Sequence, residues 1–152
     1  MLSYVRGSLK NVTVINGDER QHGFIFSLLN PPVPLGGNIV SLDIYVDELH
    51  VQRNSIFIAT SDEVVNVATL SDNRPISFKP YQSARFLIIK DGGLDENVKH
   101  KILIMSKLEG FEEITIPFTF SDHISRHQKD SIHITPDSLI QRFWIFKRRH
   151  NV

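Results

Sequence analysis

Ile114-Thr115-Ile116-Pro117-Phe118-Thr119-Phe120 is the stretch whose reading decides the fold. Its large apolar residues fall at every second position, with Thr or Pro between them. An extended chain sends successive side chains to opposite faces, so this spacing describes a strand with one buried face and one wet face. Pro117 has no N–H to give to a neighbour, which places that strand at a sheet edge or a bulge. Working outward, Val40-Ser41-Leu42-Asp43-Ile44-Tyr45-Val46 repeats the alternation. Phe24, Phe26 and Leu28 share one face of an earlier strand, with Ile25 and Leu29 on the other. Val98, His100, Ile102 and Ile104 share one face of a later strand. Residues 84–89 are nearly continuously apolar, the mark of a strand covered on both sides, and 8–15 and 55–60 complete the set.

The turn signals agree. Asn16-Gly17-Asp18 joins two strands and reads as a tight hairpin of type I′, which requires positive φ at both central residues. Further breaks fall at Asn30-Pro31-Pro32, Asp47-Glu48, Asp72-Asn73-Arg74-Pro75, Asp91-Gly92-Gly93 and Glu109-Gly110. Short strands between regular turns predict an all-β chain, an antiparallel β-sandwich of about seven to nine strands over residues 1–121.

Residues 122–152 read differently, as a His-rich linker and an amphipathic tail. Thr135-Pro136-Asp137-Ser138 offers an N-cap, a proline at the first helical position and an early acid. Leu139, Ile140, Phe143 and Trp144 follow at helical spacing, ahead of Lys147-Arg148-Arg149. A short C-terminal helix or an extended tail is expected there.

Composition narrows the function classes. A chain of 152 residues suits one domain,. Lys plus Arg and Asp plus Glu number 17 each, so the chain lacks the basic footprint that a nucleic-acid binder needs. The absence of cysteine excludes disulfides and thiolate chemistry,. No run approaches the ~18 apolar residues of a membrane span, and the start lacks the pattern of a secretion signal. A soluble, cytoplasmic protein is expected. Ten Phe suit strand faces and interfaces,.

No catalytic, cofactor-binding or metal-binding residue is assigned. His123, His127 and His133 lie near Asp122 and Asp130, but the surrounding residues have no helical pattern to hold ligands in place, so a solvated linker is the better reading. His100, flanked by Lys99 and Lys101 with Asp95 and Glu96 close by, reads as a packed, hydrogen-bonded histidine, because no nucleophile or second acid accompanies it. Asp91-Gly92-Gly93-Leu94 lacks the Lys-Ser/Thr of a phosphate loop and reads as a turn with left-handed glycines. Glu112-Glu113 reads as a solvated hairpin tip. The loop Asn30-Pro31-Pro32-Val33-Pro34-Leu35-Gly36-Gly37 is stiff and apolar, which suits an interface as well as it suits a plain crossover. Pro32, Pro34 and Leu35, with Trp144 from the tail, are therefore the candidate partner contacts.

Five pieces of sequence, in order, carry a family resemblance: Gly7-Ser8-x-x-Asn11, Gly23-Phe24-x-Phe26, the proline loop ending at Gly36, Val46-Asp47, and Gly92-Gly93-Leu94 followed by His100. In these the chain resembles the β subunit family of bacterial C-glycoside deglycosidases, over roughly residues 7–120. It departs from that pattern at Pro31-Pro32-Val33-Pro34, where relatives often carry a tyrosine and a basic residue, and at Glu48, where they carry glycine. The His-rich tail has no counterpart.

The resemblance implies a heteromeric carbon–carbon lyase acting on 3-oxo-C-glucosides with flavonoid-type aglycones. Its larger α subunit, a sugar-phosphate-isomerase-like barrel, would hold a divalent metal (Mn2+ is expected) and the acid–base histidine. With a ketone at the third sugar carbon, the proton on the second becomes acidic, and β-elimination expels the aglycone carbon. The present chain would support and shape the complex and be non-catalytic alone. The alternative is a free-standing carbohydrate-binding β-sandwich, although one Trp and three Tyr are a thin supply for an aromatic platform.

Overall fold

The computed structural model describes residues 2–30, 37–125 and 130–134. They form twelve strands: β1 (Ser3–Tyr4), β2 (Lys10–Asn16), β3 (Glu19–Leu29), β4 (Asn38–Val46), β5 (Leu49–His50), β6 (Ile56–Ala59), β7 (Val64–Asn66), β8 (Ile76–Ser77), β9 (Ser83–Ile89), β10 (Lys99–Leu108), β11 (Ile116–His123) and β12 (Asp130–Ile134). The count exceeds the sequence expectation because β1, β5, β7 and β8 are only two or three residues long. Helical structure among the described residues is limited to the 3-10 turns Arg53–Ser55 and Val67–Thr69. No helix among them is long and apolar enough to cross a membrane.

The strands make two sheets packed as a sandwich. One runs β12-β2-β3-β9-β6-β7, with β1 also on β3; the other runs β11-β10-β4-β5, with β8 also on β4. All pairs are antiparallel except β12 with β2. Between the sheets lie Phe24, Phe26, Leu28, Phe86 and Ile88 from the first, and Leu42, Ile44, Ile102, Ile104 and Phe120 from the second. Alternation puts Ile25 and Leu87 on the outer face of the first sheet, where they join a second buried cluster with Val12, Val14, Ala59 and Ile132. Aromatic rings pack within the first sheet and across to Phe120 of the second. Phe26 stacks on Phe86 at 4.8 Å and meets Phe120 edge-on at 5.1 Å, while Tyr4 stacks on Phe120 at 3.9 Å. Such pairs add about 0.5–1.5 kcal/mol each beyond their burial.

Several expectations are refined. Pro117 does sit on an edge strand, since among the described residues β11 pairs only with β10. The opening stretch starts its strand later than its alternation suggests, because the Ile114 N–H is taken by the Phe111 carbonyl in a turn at 3.0 Å. Ile114 is consequently exposed. Val98 also falls outside β10 and is exposed, so it does not share the buried face of His100. The hairpin at Gly17-Asp18 has positive φ only at Gly17, the signature of type II′ rather than I′,. The double left-handed turn occurs instead at Asp47 (φ 50°) and Glu48 (φ 73°), joining β4 to β5.

The sheet also runs past residue 121, where the sequence reading drew the domain edge. β11 continues to His123, Ile124 is buried, and the Ser125 N–H donates to Leu9 O at 2.8 Å. β12 then adds to β2 with Ile132 fully buried. Ile132 and Ile134 alternate around His133, a period-two pattern too short to stand out in a polar segment, and the edge of β2 supplies the backbone partners that seat the strand. The expected C-terminal helix over 135–152 lies outside the described residues.

Candidate functional site

The residues with chemistry gather at one end of the sandwich, around the loop that carries the chain from β9 to β10. That loop opens with Asp91-Gly92-Gly93, and both glycines are left-handed (φ 73° and 68°). Side chains rarely adopt that conformation. Gly93 is doubly required, because a Cβ there would lie 2.6 Å from Asn11 Oδ1.

Asn11 is the reason for the close approach. From β2 its amide Nδ2 donates to the Leu94 carbonyl at 2.8 Å, and its Oδ1 accepts from the Leu94 N–H at 2.8 Å. The two bonds satisfy both backbone groups of Leu94, whose side chain is buried. On the next strand Gly23 is pressed against β9, where a Cβ would come within 2.3 Å of Ile88 O. Only glycine lets β3 and β9 pair there.

His100 holds the far end of the same loop. It is 4% exposed, its Nε2 lies 2.7 Å from Asp95 O, and its Nδ1 lies 2.7 Å from Asp47 Oδ2. Asp47 also accepts from the Lys101 N–H through Oδ1 at 2.9 Å, and its own N–H donates to Lys101 O at 2.8 Å. These bonds fix Asp47 in its left-handed conformation, the over-determination that such backbone needs. Burial by itself would push the imidazole down, but the Asp47 hydrogen bond, the Asp95 carbonyl and the Asp47 charge outweigh it and raise the His100 pKa. Partial burial works against the Asp47 charge in the same way, yet His100 and the Lys101 N–H hold its carboxyl below the ordinary value.

Two clefts flank this corner. The larger, about 480 Å3, is bordered by Leu49, Val51, Lys90, Asp95 and the His100–Asp47 pair. The smaller, about 190 Å3, is bordered by Asn11, Thr13, His22, Gly92 and Glu96. Gly93 borders both.

A second tie lies beside it. The Tyr4 hydroxyl donates to Asp122 Oδ2 at 2.7 Å, accepts from the Leu9 N–H at 3.2 Å, and Asp122 also accepts from Gly7 N–H at 3.1 Å. Burial first, and then the Asp122 carboxylate, push the Tyr4 phenol up to about 12. Asp122 thus holds the N-terminal segment on β11 through Oδ2, while its Oδ1 accepts from the His123 N–H at 2.8 Å and the His123 side chain is exposed. On the outer face of the smaller sheet, Arg53 grips Asp43 with two bonds of 2.8 Å and His50 adds a third at 2.9 Å. The guanidinium bonds, chief among these, hold Asp43 down to about 2. Glu112 is exposed beside Asp72, whose hydrogen bond and charge raise it. The hairpin tip therefore has a carboxylate neighbour that the sequence did not reveal.

Of the positions singled out from sequence, Gly93, Leu94 and His100 meet here, and Val46-Asp47 and Asn11 from the resemblance join them. Pro32, Pro34, Leu35, Trp144 and His127 lie outside the described residues. The ends of the proline loop are nonetheless placed. Asn30 is buried, its Nδ2 donating to Phe78 O at 2.9 Å, and Gly37 adjoins Leu108. β4 leaves that end and finishes at Val46, so nine residues of strand, roughly 30 Å, separate the loop's exit from the Asp47 corner,. Sequence reasoning missed Asp47 as the partner of His100, having looked to Asp95 and Glu96. The Asp95 carbonyl makes the bond to the ring, and the Asp95 side chain acts through its charge.

No protein-family model matches this chain, and no curated protein matches it. The class that the fold defines is an all-β, two-sheet sandwich, with a polar corner pinned by Asn11 and His100.

Proposed function

We propose that this chain is the small β subunit of a heteromeric C-glycoside deglycosidase. The observation that carries the reading is convergence. Asn11, Val46-Asp47, Gly93-Leu94 and His100 bear the resemblance and are scattered along the chain, yet they lock one another at a single corner. A further detail agrees. Glu48 stands where relatives carry glycine, and its φ of 73° is a value that glycine favours,.

On this reading the barrel-type α subunit supplies the divalent metal and the acid–base histidine for β-elimination of 3-oxo-C-glucosides. This chain contributes no catalytic group and supports the assembly. Pro32, Pro34, Leu35 and Trp144 remain the proposed contacts with the barrel. The test is to purify the chain alone, and together with a sugar-phosphate-isomerase-like barrel encoded beside it, and to follow aglycone release from a 3-oxo-C-glucosyl flavonoid. Release by the pair and by neither subunit alone is expected. Release by this chain alone, or failure to co-purify with the barrel, overturns the proposal.

A further inference from the structure

The outer face of the first sheet is buried as deeply as the core between the sheets. Val14 is 1% exposed, Ile25 and Leu87 3% each, and Ile132 0%. They cluster with Val12 and Ala59, and the half-buried apolar side chains packed against them are Phe57, Val64 and Ile89. Among the described residues every member of this cluster comes from β2, β3, β6, β7, β9 or β12, all strands of that one sheet. A sheet cannot bury its own face, because side chains stand roughly perpendicular to it and its strands lie side by side, about 4.8 Å apart. Ile132 makes the point most sharply. Among the described residues its strand pairs only with β2, so it stands at the margin of the sheet and is still sealed from water. This burial is present in a single chain, so a further stretch of the same chain has to lie over the face.

Three stretches of more than one residue lie outside the described residues: 31–36, 126–129 and 135–152. The first two are committed at both ends. Residues 31–36 carry the chain from Asn30, after β3, to Gly37, ahead of β4 in the opposite sheet. Residues 126–129 join Ser125, bonded to Leu9 O, to Asp130, the register partner of Val12. Only 135–152 has length to spare, and β12 delivers it to the right place, since Ile134 pairs with Asn16 on β2. As the helix that its sequence predicts, Pro136 to Phe146 would run roughly 16 Å. The three strand spacings from β2 to β6 come to about 14 Å,.

The sequence of the segment fits the task. At about 100° per residue, Leu139, Phe143 and Phe146 fall on one stripe with Ile140 beside it, and Gln141 and Arg148 fall on the opposite side,. We propose that residues 135–152 are the missing cover, an amphipathic third layer that seats Leu139, Phe143 and Phe146 on Val14, Ile25 and Leu87. Trp144, about 100° round from Phe143, stands at the margin of that stripe, where a partner can still reach it. None of this depends on the subunit reading above.

Nuclear Overhauser spectra of the full chain, with labelled Ile, Leu and Val methyls and protonated Phe rings, test the cover directly. Contacts are expected from the Phe143 ring to methyls of Val14, Ile25 and Leu87, and none to Leu42 in the opposite sheet. Trp144 is the chain's one tryptophan, so the emission of the unlabelled protein reports on the tail. Phe143→Asp should shift that emission to the red and lower the thermal midpoint by about 5 °C or more. Gln141→Lys, on the opposite side of the segment, should change neither. Absence of the Phe143 contacts overturns the proposal, as does an equal response to the two substitutions. So does a mixture of labelled and unlabelled chains in which the outer-face methyls meet aromatic rings of a second copy. If Phe143→Asp does not fold, the wild-type contacts alone decide.

Discussion

His100 Nδ1 lies 2.7 Å from Asp47 Oδ2 although 53 residues separate them in the chain. The pair joins β10, the β4–β5 turn and the loop after β9, so a single buried ring holds three segments that are not neighbours in sequence. The folded His100 pKa is raised, so its contribution is complete below about 6.5, the unfolded value, and is lost as pH climbs through the folded value. The Asp47 pKa is lowered from 3.8, so its contribution is complete above that value and is lost as pH falls through the folded one. Urea denaturation of wild type and His100→Ala should therefore differ most between these limits, by about 1–3 kcal/mol, and the difference should shrink on the alkaline side. A difference that is flat with pH would show that the ionic component contributes nothing.

The two loop glycines should separate in a substitution series. Gly92→Ala meets nothing within 4 Å and carries only the left-handed penalty, about 1–2 kcal/mol,. Gly93→Ala must also displace Asn11 and break its two bonds to Leu94, which should bring the loss to roughly 2–4 kcal/mol. Asn11→Ala should account for most of the gap. Denaturant midpoints measured side by side check the order; equal losses at 92 and 93 would mean that the Asn11 clamp is energetically silent.

Glu48→Gly should stabilise the protein. At φ 73° the glutamate sits in the region that glycine enters freely, and relief of the strain outweighs the greater entropy of the unfolded glycine by up to about 1 kcal/mol. A rise in the thermal midpoint checks it. Any fall would mean that the Glu48 side chain makes a contribution beyond its backbone conformation.

Leu35→Asp should weaken co-purification with the barrel subunit while leaving the free sandwich as stable as before. The loop's ends at Asn30 and Gly37 are far from the His100 corner, so its hydrogen bonds are not at stake. Pull-down yield and a thermal melt, taken on the same preparation, decide. Unfolding of the free chain would make Leu35 a core residue and remove it from the proposed interface.

His123→Ala with His127→Ala should leave the activity of the assembled complex within a factor of a few, since the tail is not part of the proposed chemistry. Turnover of the 3-oxo-C-glucoside is the readout. A loss of a hundredfold, about 2.7 kcal/mol of transition-state stabilisation, would assign the tail a part in the reaction.

What the sequence by itself determined was local. Alternation at Val40–Val46 and at Phe24–Leu28 set which side chains are buried, because side-chain direction in a strand depends only on neighbouring backbone geometry. Pro117 marked an edge through its missing N–H, and Gly92-Gly93 marked a left-handed turn through its missing Cβ. The type of the Gly17 hairpin was less legible, since Asp18 can take either sign of φ and strand twist decides. Tertiary structure alone decided the rest. No pattern within reach of His100 points to Asp47, and nothing in β2 shows that Asn11 clamps Leu94, because both contacts arise from sheet register over long loops. β12 is the clearest case. In residues 130–134 only Ile132 and Ile134 alternate, too short a pattern to mark a strand in a polar stretch, and the segment becomes one because the edge of β2 offers backbone partners and the outer apolar face offers Ile132 a place to be buried.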